Sequence, residues 1–213
     1  MSLRRSIGAR WRRFREDESG TTLTELAVAL GCFLFIFFSL IDFGRLGYHY
    51  VTAEKAMHLA TRIAVVRPPA CTGVPQVNAR GPLTSPAPRF GSSCAGASGT
   101  CANPGTVSCP GSASNATAAE IWDVVGAAMP QGTTIANLHF SYAFDENLGF
   151  LGGPYVPMVT VELRNTQFAF VSPLGQLAQV AGATNSSGLG ATINLPSFSV
   201  SMPGEDLALG TNG

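Results

Sequence analysis

The chain has 213 residues with 13 Lys+Arg against 13 Asp+Glu, so its overall charge does not favour binding to nucleic acid or another polyanion. Only 12% of the residues are charged, whereas 24 are Gly and 14 are Pro, which argues against a single uniform globular domain. Five Cys are too few for a fold built mainly on disulfides, but they are enough for two bridges.

The beginning of the chain has the charge pattern of a membrane anchor. The first 20 residues contain six Arg and three acidic residues, a net charge of +3 (6 − 3). An uncharged apolar segment of 16 residues, Leu26–Ile41, follows between Glu25 and Asp42. As a helix this segment extends about 24 Å, less than the ~30 Å hydrocarbon core, but the uncharged stretch reaches back to Gly20 if Glu25 is neutralised or paired. We therefore predict a single membrane-spanning helix, with a cytoplasmic N-terminus and an exported remainder.

The exported end of this helix is marked by charge. Asp42 and Arg45 are the first two charged residues after the apolar segment. Their spacing of one helical turn predicts an ion pair. We expect this pair to lie at the outer membrane interface, as the membrane-exit residues.

A short motif precedes the apolar segment. In ESGTTLTELAVAL, Gly20 stands directly before two Thr, and Glu25 is the fifth residue after it. This motif resembles the type IV prepilin signature, in which a membrane-embedded aspartic peptidase cuts after the Gly on the cytoplasmic side. The resemblance implies cleavage between Gly20 and Thr21, which would leave 193 residues (213 − 20). It also implies that Glu25 pairs with the new α-amino group of Thr21 in a neighbouring subunit; the alternative is an interfacial Glu that points to water.

The helical pattern continues beyond the membrane. An apolar stripe with spacings of three and four runs from Leu46 to Ala64, and Arg67-Pro68-Pro69 ends it. We expect one helix over residues 21–66, about 69 Å long, with its lower half in lipid. Two partners for the Ala-rich stripe are open, another helix or the protein's own strands.

Residues 13–66 are similar to the TadE family of pilus-assembly proteins, which are pseudopilin-like components of the Flp (tight adherence) type IVb pilus system. The similarity rests on ESGTTLTELAVAL, IDFGRLGYHY and MHLATRIAVV. It implies a minor pilin in the inner membrane, with its C-terminal domain periplasmic or extracellular, that acts in pilus biogenesis, adherence and biofilm formation. The implied partners are the membrane, a prepilin peptidase, the major Flp pilin, a second minor pilin and the inner-membrane platform. Leu26 stands where major Flp pilins usually have Tyr, and the chain is longer than those pilins.

The next segment, residues 67–116, has the composition of a flexible insert. Eight Pro, seven Gly and seven Ser occupy 22 of its 50 positions, so it cannot bury enough apolar surface to order itself. It also contains four cysteines, Cys71, Cys94, Cys101 and Cys109. In an oxidising compartment these predict two disulfides, with three pairings open. The segment has no Cys-x-x-Cys and no nearby His, which argues against zinc.

The remaining residues, 117–213, predict a small exported α/β domain. A short helix is expected over residues 117–129, with Thr117 as the N-cap and Glu120 completing a capping box. Alternating apolar residues predict strands over 138–144, 159–163 and 193–202, whereas 166–180 suggests an irregular loop with a turn of helix. The apolar face of this sheet is expected to cover the upper part of the long helix.

The sequence therefore predicts an α+β fold, in which a long N-terminal pilin-like helix is combined with a small antiparallel sheet and a Pro/Gly/Ser/Cys-rich loop. The predicted division has four parts: a basic cytoplasmic leader (1–20), a transmembrane and amphipathic helix (21–66), the Cys-containing insert (67–116) and the exported domain (117–213).

Motifs that carry catalysis are missing from the sequence. The three His have no metal-ligand spacing, and neither a nucleophile elbow nor a phosphate-binding loop occurs. We therefore expect no enzyme activity, no cofactor, no metal and no small-molecule substrate. The alternative to a pilus component is an uncleaved signal-anchored periplasmic or surface protein that binds a partner through its Cys-containing part.

Overall fold

The computed structural model describes residues 20–83, 85–180, 184, 192–205 and 207. The predicted leader, apart from Gly20, lies outside the described residues. Tertiary contacts divide the chain into two compact units. We call the described part of residues 1–45 and 170–191 the anchor unit, and that of residues 46–169 and 192–213 the sheet unit.

The longest element is helix α1, Thr21–Ala64, with 44 residues. It contributes Thr21–Arg45 to the anchor unit and Leu46–Ala64 to the sheet unit. The helix ends at Ala64, two residues before the predicted end. Pro68 lacks a backbone N–H and disfavours the helical region for the residue before it, which explains why α1 stops near this point.

The sheet unit contains a four-stranded antiparallel sheet in the order β1-β2-β3-β6. Its strands are β1 (Thr106–Pro110), β2 (Leu138–Ala143), β3 (Met158–Leu163) and β6 (Phe198–Pro203). Two short strands, β4 (Gln167–Phe168) and β5 (Ile193–Asn194), pair separately. Two further helices are α2 (Ala116–Val125) and α3 (Leu174–Val180). The predicted α+β class is confirmed, and β2 and β3 lie where alternation predicted them. The region predicted as one strand over 193–202 is divided into β5 and β6, which belong to different sheets, and β1 and β4 were not predicted.

The apolar face of the sheet forms the main core. Alternate residues of the central strands are fully buried: Leu138, Phe140, Tyr142, Val159, Val161 and Leu163. Burial of each such side chain stabilises the fold by about 1.5–3 kcal/mol. The Tyr142 hydroxyl accepts a hydrogen bond from the backbone N–H of Ala70 (2.9 Å), so the one polar group of this face is satisfied.

The upper part of α1 packs on the protein's own strands. Ala53, Ala60 and Ala64 are fully buried, and their small side chains allow close approach. The ring of Tyr50 contacts that of Phe198 on β6, with 4.9 Å between centroids. The Thr61 hydroxyl, also fully buried, lies 2.8 Å from the carbonyl of Met57 and 3.4 Å from a carbonyl of β6. Of the two partners left open for the Ala-rich stripe, the structure shows the protein's own strands.

The start of α2 differs from the prediction. Asn115, not Thr117, is the N-cap, because its side chain accepts a hydrogen bond from the N–H of Ala118 (2.9 Å). The Thr117 hydroxyl instead donates to the carbonyl of Pro68 (2.7 Å). The predicted capping box between Thr117 and Glu120 is also wrong. Glu120 instead forms an ion pair with Arg67 (2.9 Å), and a residue 53 positions away cannot be identified as a partner from the local sequence.

The cysteines of the Pro/Gly/Ser-rich segment form two disulfides, Cys71–Cys109 and Cys94–Cys101. The first joins the chain after α1 to β1. The second is buried and packs with Leu151 and Phe144 in a small separate core. Between them, Asn78 donates its backbone N–H to Gly153 (2.9 Å) and accepts from the N–H of Gly152 (2.8 Å). The segment therefore gains its order from covalent links and backbone hydrogen bonds more than from apolar burial.

The two disulfides are expected to stabilise the fold unequally. The Cys71–Cys109 bridge spans 38 residues and the Cys94–Cys101 bridge only seven. Loss of loop-closure entropy in the unfolded chain predicts about 4 kcal/mol for the longer loop and about 2 kcal/mol for the shorter one. We expect Cys71→Ser/Cys109→Ser to lower the free energy of unfolding more than Cys94→Ser/Cys101→Ser, measured by urea unfolding in mild detergent. An equal or reversed order would contradict this assignment.

Candidate membrane anchor and processing site

The junction predicted for cleavage lies at the start of α1. Gly20 and Thr21 are both exposed, and α1 begins at Thr21. No atom lies within 4 Å of the place where a Cβ on Gly20 would stand. The first turn is closed by the Thr24 hydroxyl, which donates to the carbonyl of Thr21 (2.8 Å). The peptide bond after Gly20 therefore joins two exposed residues at the start of α1.

Glu25 lies one turn into α1. Its side chain is exposed, and among the residues that the structure describes it has no hydrogen-bond or ion-pair partner. A carboxylate beside an apolar helical segment is costly in lipid unless it is neutralised, paired or extended to water.

The part of α1 that follows Glu25 is covered by little protein. Large apolar side chains are exposed on most faces of the helix: Leu26, Val28, Leu30, Phe33, Ile36, Phe37, Leu40 and Ile41. By length and composition this helix is suited to crossing a membrane. The Ser39 hydroxyl donates to the carbonyl of Phe35 (2.7 Å), so this polar group is satisfied within the helix. Such a surface needs an apolar solvent.

Asp42 ends the apolar segment and is completely buried within the anchor unit. One carboxylate oxygen accepts from the N–H of Val171 (3.3 Å) and from Arg45 (3.2 Å). The other accepts from the N–H of Ser172 (3.0 Å) and forms a short hydrogen bond with its hydroxyl. The carboxylate thus holds the chain at residues 171–172 against α1. Each of its two oxygens accepts two hydrogen bonds, which offset the cost of burying the charge.

The structure brings Asp42 and Arg45 together as an i,i+3 ion pair, with the Arg side chain 34% exposed. Gly20, Thr21 and Glu25 lie at the other end of the apolar segment, so the sequence-predicted residues form two sites on one helix. Sequence reasoning missed Val171 and Ser172. They lie about 130 positions from Asp42, and a lone Ser after an apolar pair gives no signal of such a contact.

A second polar cluster lies at the edge of the sheet unit. Glu162 and Arg164 on or next to β3 form an ion pair, and the hydrogen bond from Arg164 lowers the pKa of Glu162. Partial burial, together with the charge of Arg164, lowers the pKa of neighbouring His139 and so favours its neutral imidazole. Among the described residues no group of three or more His, Cys, Asp or Glu could hold a metal ion. The cluster is an ion pair at the end of the central strand β3, and the Ser197 side chain also hydrogen-bonds to Glu162.

Removal of the Asp42 carboxylate is expected to release the chain at residues 171–172. Asp42→Ala leaves two backbone N–H groups without an acceptor, at about 1–3 kcal/mol each if they stay buried. We expect faster hydrogen–deuterium exchange of the peptide that contains Val171 and Ser172 in the detergent-solubilised protein. Asp145→Ala is the matched control, since among the described residues the Asp145 carboxylate accepts hydrogen bonds only from Asn147, in an exposed turn. Equal protection in the Asp42 variant and the wild type would refute the assigned role.

Comparison with known proteins supplies one match. No curated protein and no solved structure matches the chain. A family model described as "TadE-like protein" matches residues 20–62. The matched residues include the junction at Gly20 and the apolar segment, and they end shortly before the C-terminus of α1. The match confirms the resemblance that the sequence indicated, and residues 20–62 are similar to the TadE-like family.

Proposed function

We propose that this protein is a minor pilin-like component of a type IVb Flp/Tad pilus system, held in the inner membrane by α1. The observation that carries the proposal is the TadE-like match over the part of α1 whose apolar side chains are exposed. The TadE-like family consists of pilus components and is non-enzymatic in general. Roles in pilus biogenesis, surface adherence and biofilm formation follow from this association.

The proposed topology places the basic leader in the cytoplasm and the sheet unit on the outer side of the inner membrane. The excess of Arg before the apolar segment supports this orientation. The two disulfides of the sheet unit support it as well, because stable disulfides belong to oxidising compartments. The partners in this proposal are the membrane, the prepilin peptidase, the major Flp pilin, a second minor pilin and the inner-membrane platform.

In this proposal a prepilin peptidase cleaves the chain between Gly20 and Thr21. The exposure of both residues and the open space around Gly20 support access by a protease. Cleavage removes the six Arg of the leader and leaves α1 attached to the mature protein. It also creates a charged α-amino group on Thr21, one helical turn from Glu25.

Processing is tested by Gly20→Val, which places a β-branched side chain at the cleaved bond. We expect the wild type, co-expressed with a prepilin peptidase, to begin at Thr21 and the variant to keep its leader, as read from the intact mass of the membrane-extracted protein. Gly31→Val is the control, because Gly31 also has open space around it but lies inside the apolar segment. A wild-type chain that keeps its leader in its own host would favour the alternative, a signal-anchored binding protein without a pilus role.

The proposal gives Glu25 a role in assembly, as the partner of the Thr21 α-amino group in a neighbouring subunit. The exposure of its carboxylate supports an intermolecular pairing. Glu25→Ala is therefore expected to be processed and inserted normally but to co-purify less with the other pilus components. Glu54→Ala changes an exposed carboxylate on the upper part of the same helix and should leave co-purification unchanged. Equal recovery of the partners with both variants would refute the pairing.

A further inference from the structure

The segment that Asp42 holds against α1 lies beside the end of the apolar segment. It begins with Phe170-Val171-Ser172 and continues into α3. Its contact with α1 is made at the first charged residue after the apolar segment, which is the level at which a membrane-spanning helix leaves the hydrocarbon. The Ser172 hydroxyl also lies 3.3 Å from the carbonyl of Phe38, one turn further into the apolar segment.

Apolar side chains are exposed at this level. Val171 is 74% exposed, and Phe43 is 59% exposed. The ring of Phe43 meets that of Phe170 edge to face, with 6.2 Å between centroids. These three residues form an apolar patch, the exit patch, which continues the lipid-facing surface of α1 past Asp42. In water an exposed Val and Phe beside one another are unfavourable, whereas acyl chains would cover them.

The backbone at the exit patch is suited to low polarity. The N–H groups of Val171 and Ser172 are both bonded to the Asp42 carboxylate, so neither needs water. Unsatisfied backbone groups are what exclude irregular chain from the apolar part of a bilayer. The hydrogen bonds of Asp42 therefore remove the main barrier to placing this turn against lipid.

The absence of charged residues in the chain around residues 170 and 171 also favours contact with lipid. Residues 165–204, which include the exit patch residues 170 and 171 and all of α3, contain no Asp, Glu, Lys or Arg. A segment that enters the interfacial region would have to desolvate such charges, at a cost of several kcal/mol for each ion. Arg45 pairs with Asp42 at this level, and a long side chain of this kind can direct its charge to lipid phosphates while its aliphatic part stays at the interface.

We infer that the exit patch inserts into the outer leaflet of the membrane that α1 spans, so that Phe43, Phe170 and Val171 contact acyl chains beside the helix. The occupant of this surface is lipid, because the patch is continuous with the apolar segment that lipid covers. The protein then has a second, shallow membrane contact, which fixes the depth and rotation of α1. This inference rests on the proposed anchoring of α1 in a membrane.

The test uses tryptophan as a depth probe in the full-length protein, reconstituted in phosphatidylcholine and phosphatidylglycerol vesicles. Val171→Trp reports on the exit patch, Phe37→Trp on the apolar segment of α1, and Val77→Trp on an exposed apolar site of the sheet unit. Emission is compared with the wild type in lipids brominated either near the headgroups or deep in the acyl chains. We expect a blue shift at position 171 with strong quenching by the shallow bromines, deep quenching at position 37 and neither effect at position 77.

The outcomes separate this inference from the anchor on which it rests. Quenching at position 37 with none at position 171 would overturn the lipid contact of the exit patch and leave the anchor intact. A blue shift at position 171 without quenching would mean that protein covers the patch, which also overturns the inference. Absence of quenching at positions 37 and 171 together would overturn the membrane anchor itself and the inference with it.

Discussion

The apolar side chains of α1 between Glu25 and Asp42 have almost no protein to pack against, and the arrangement of the chain depends on how they are removed from water. A single helix satisfies its backbone groups internally, which makes it the simplest element that can cross hydrocarbon. The Ser39 hydroxyl in this segment also donates its hydrogen bond within the helix. Once lipid covers this segment, the residues before and after it lie on opposite sides of a membrane.

The two ends of the segment handle charge in different ways. At the outer end, Asp42 is buried and its carboxylate is saturated by Arg45 and by the chain at Val171 and Ser172. At the inner end, Glu25 is exposed, and among the described residues its carboxylate has no hydrogen-bond or ion-pair partner. This asymmetry fits the proposed role in assembly: the protein itself neutralises the charge at one end, and in the proposal a neighbouring subunit neutralises the charge at the other.

Sequence predicted the elements whose signal is local. The spacing of apolar residues predicted α1, and their alternation predicted β2 and β3, because the helix and strand periods are visible over a few neighbouring residues. Strand β1 could not be predicted from composition, because Thr106–Pro110 is short and lies in a Pro/Gly/Ser-rich segment. The Cys71–Cys109 bridge and pairing with β2 hold this strand in place. The contacts of Asp42 with Ser172 and of Glu120 with Arg67 join distant parts of the chain, and no local pattern encodes them.

The central claim is that one chain occupies two environments, with the apolar segment of α1 in lipid and the sheet unit in an oxidising compartment. It is tested most directly by counting free thiols in the native protein. Membranes from the host are dissolved in denaturing detergent with an alkylating reagent and no reductant, and the mass of the chain is measured. Of five Cys, the four in disulfides should be protected and Cys32 alone should react, which gives one adduct. Five adducts would show reduced cysteines and contradict export of the sheet unit.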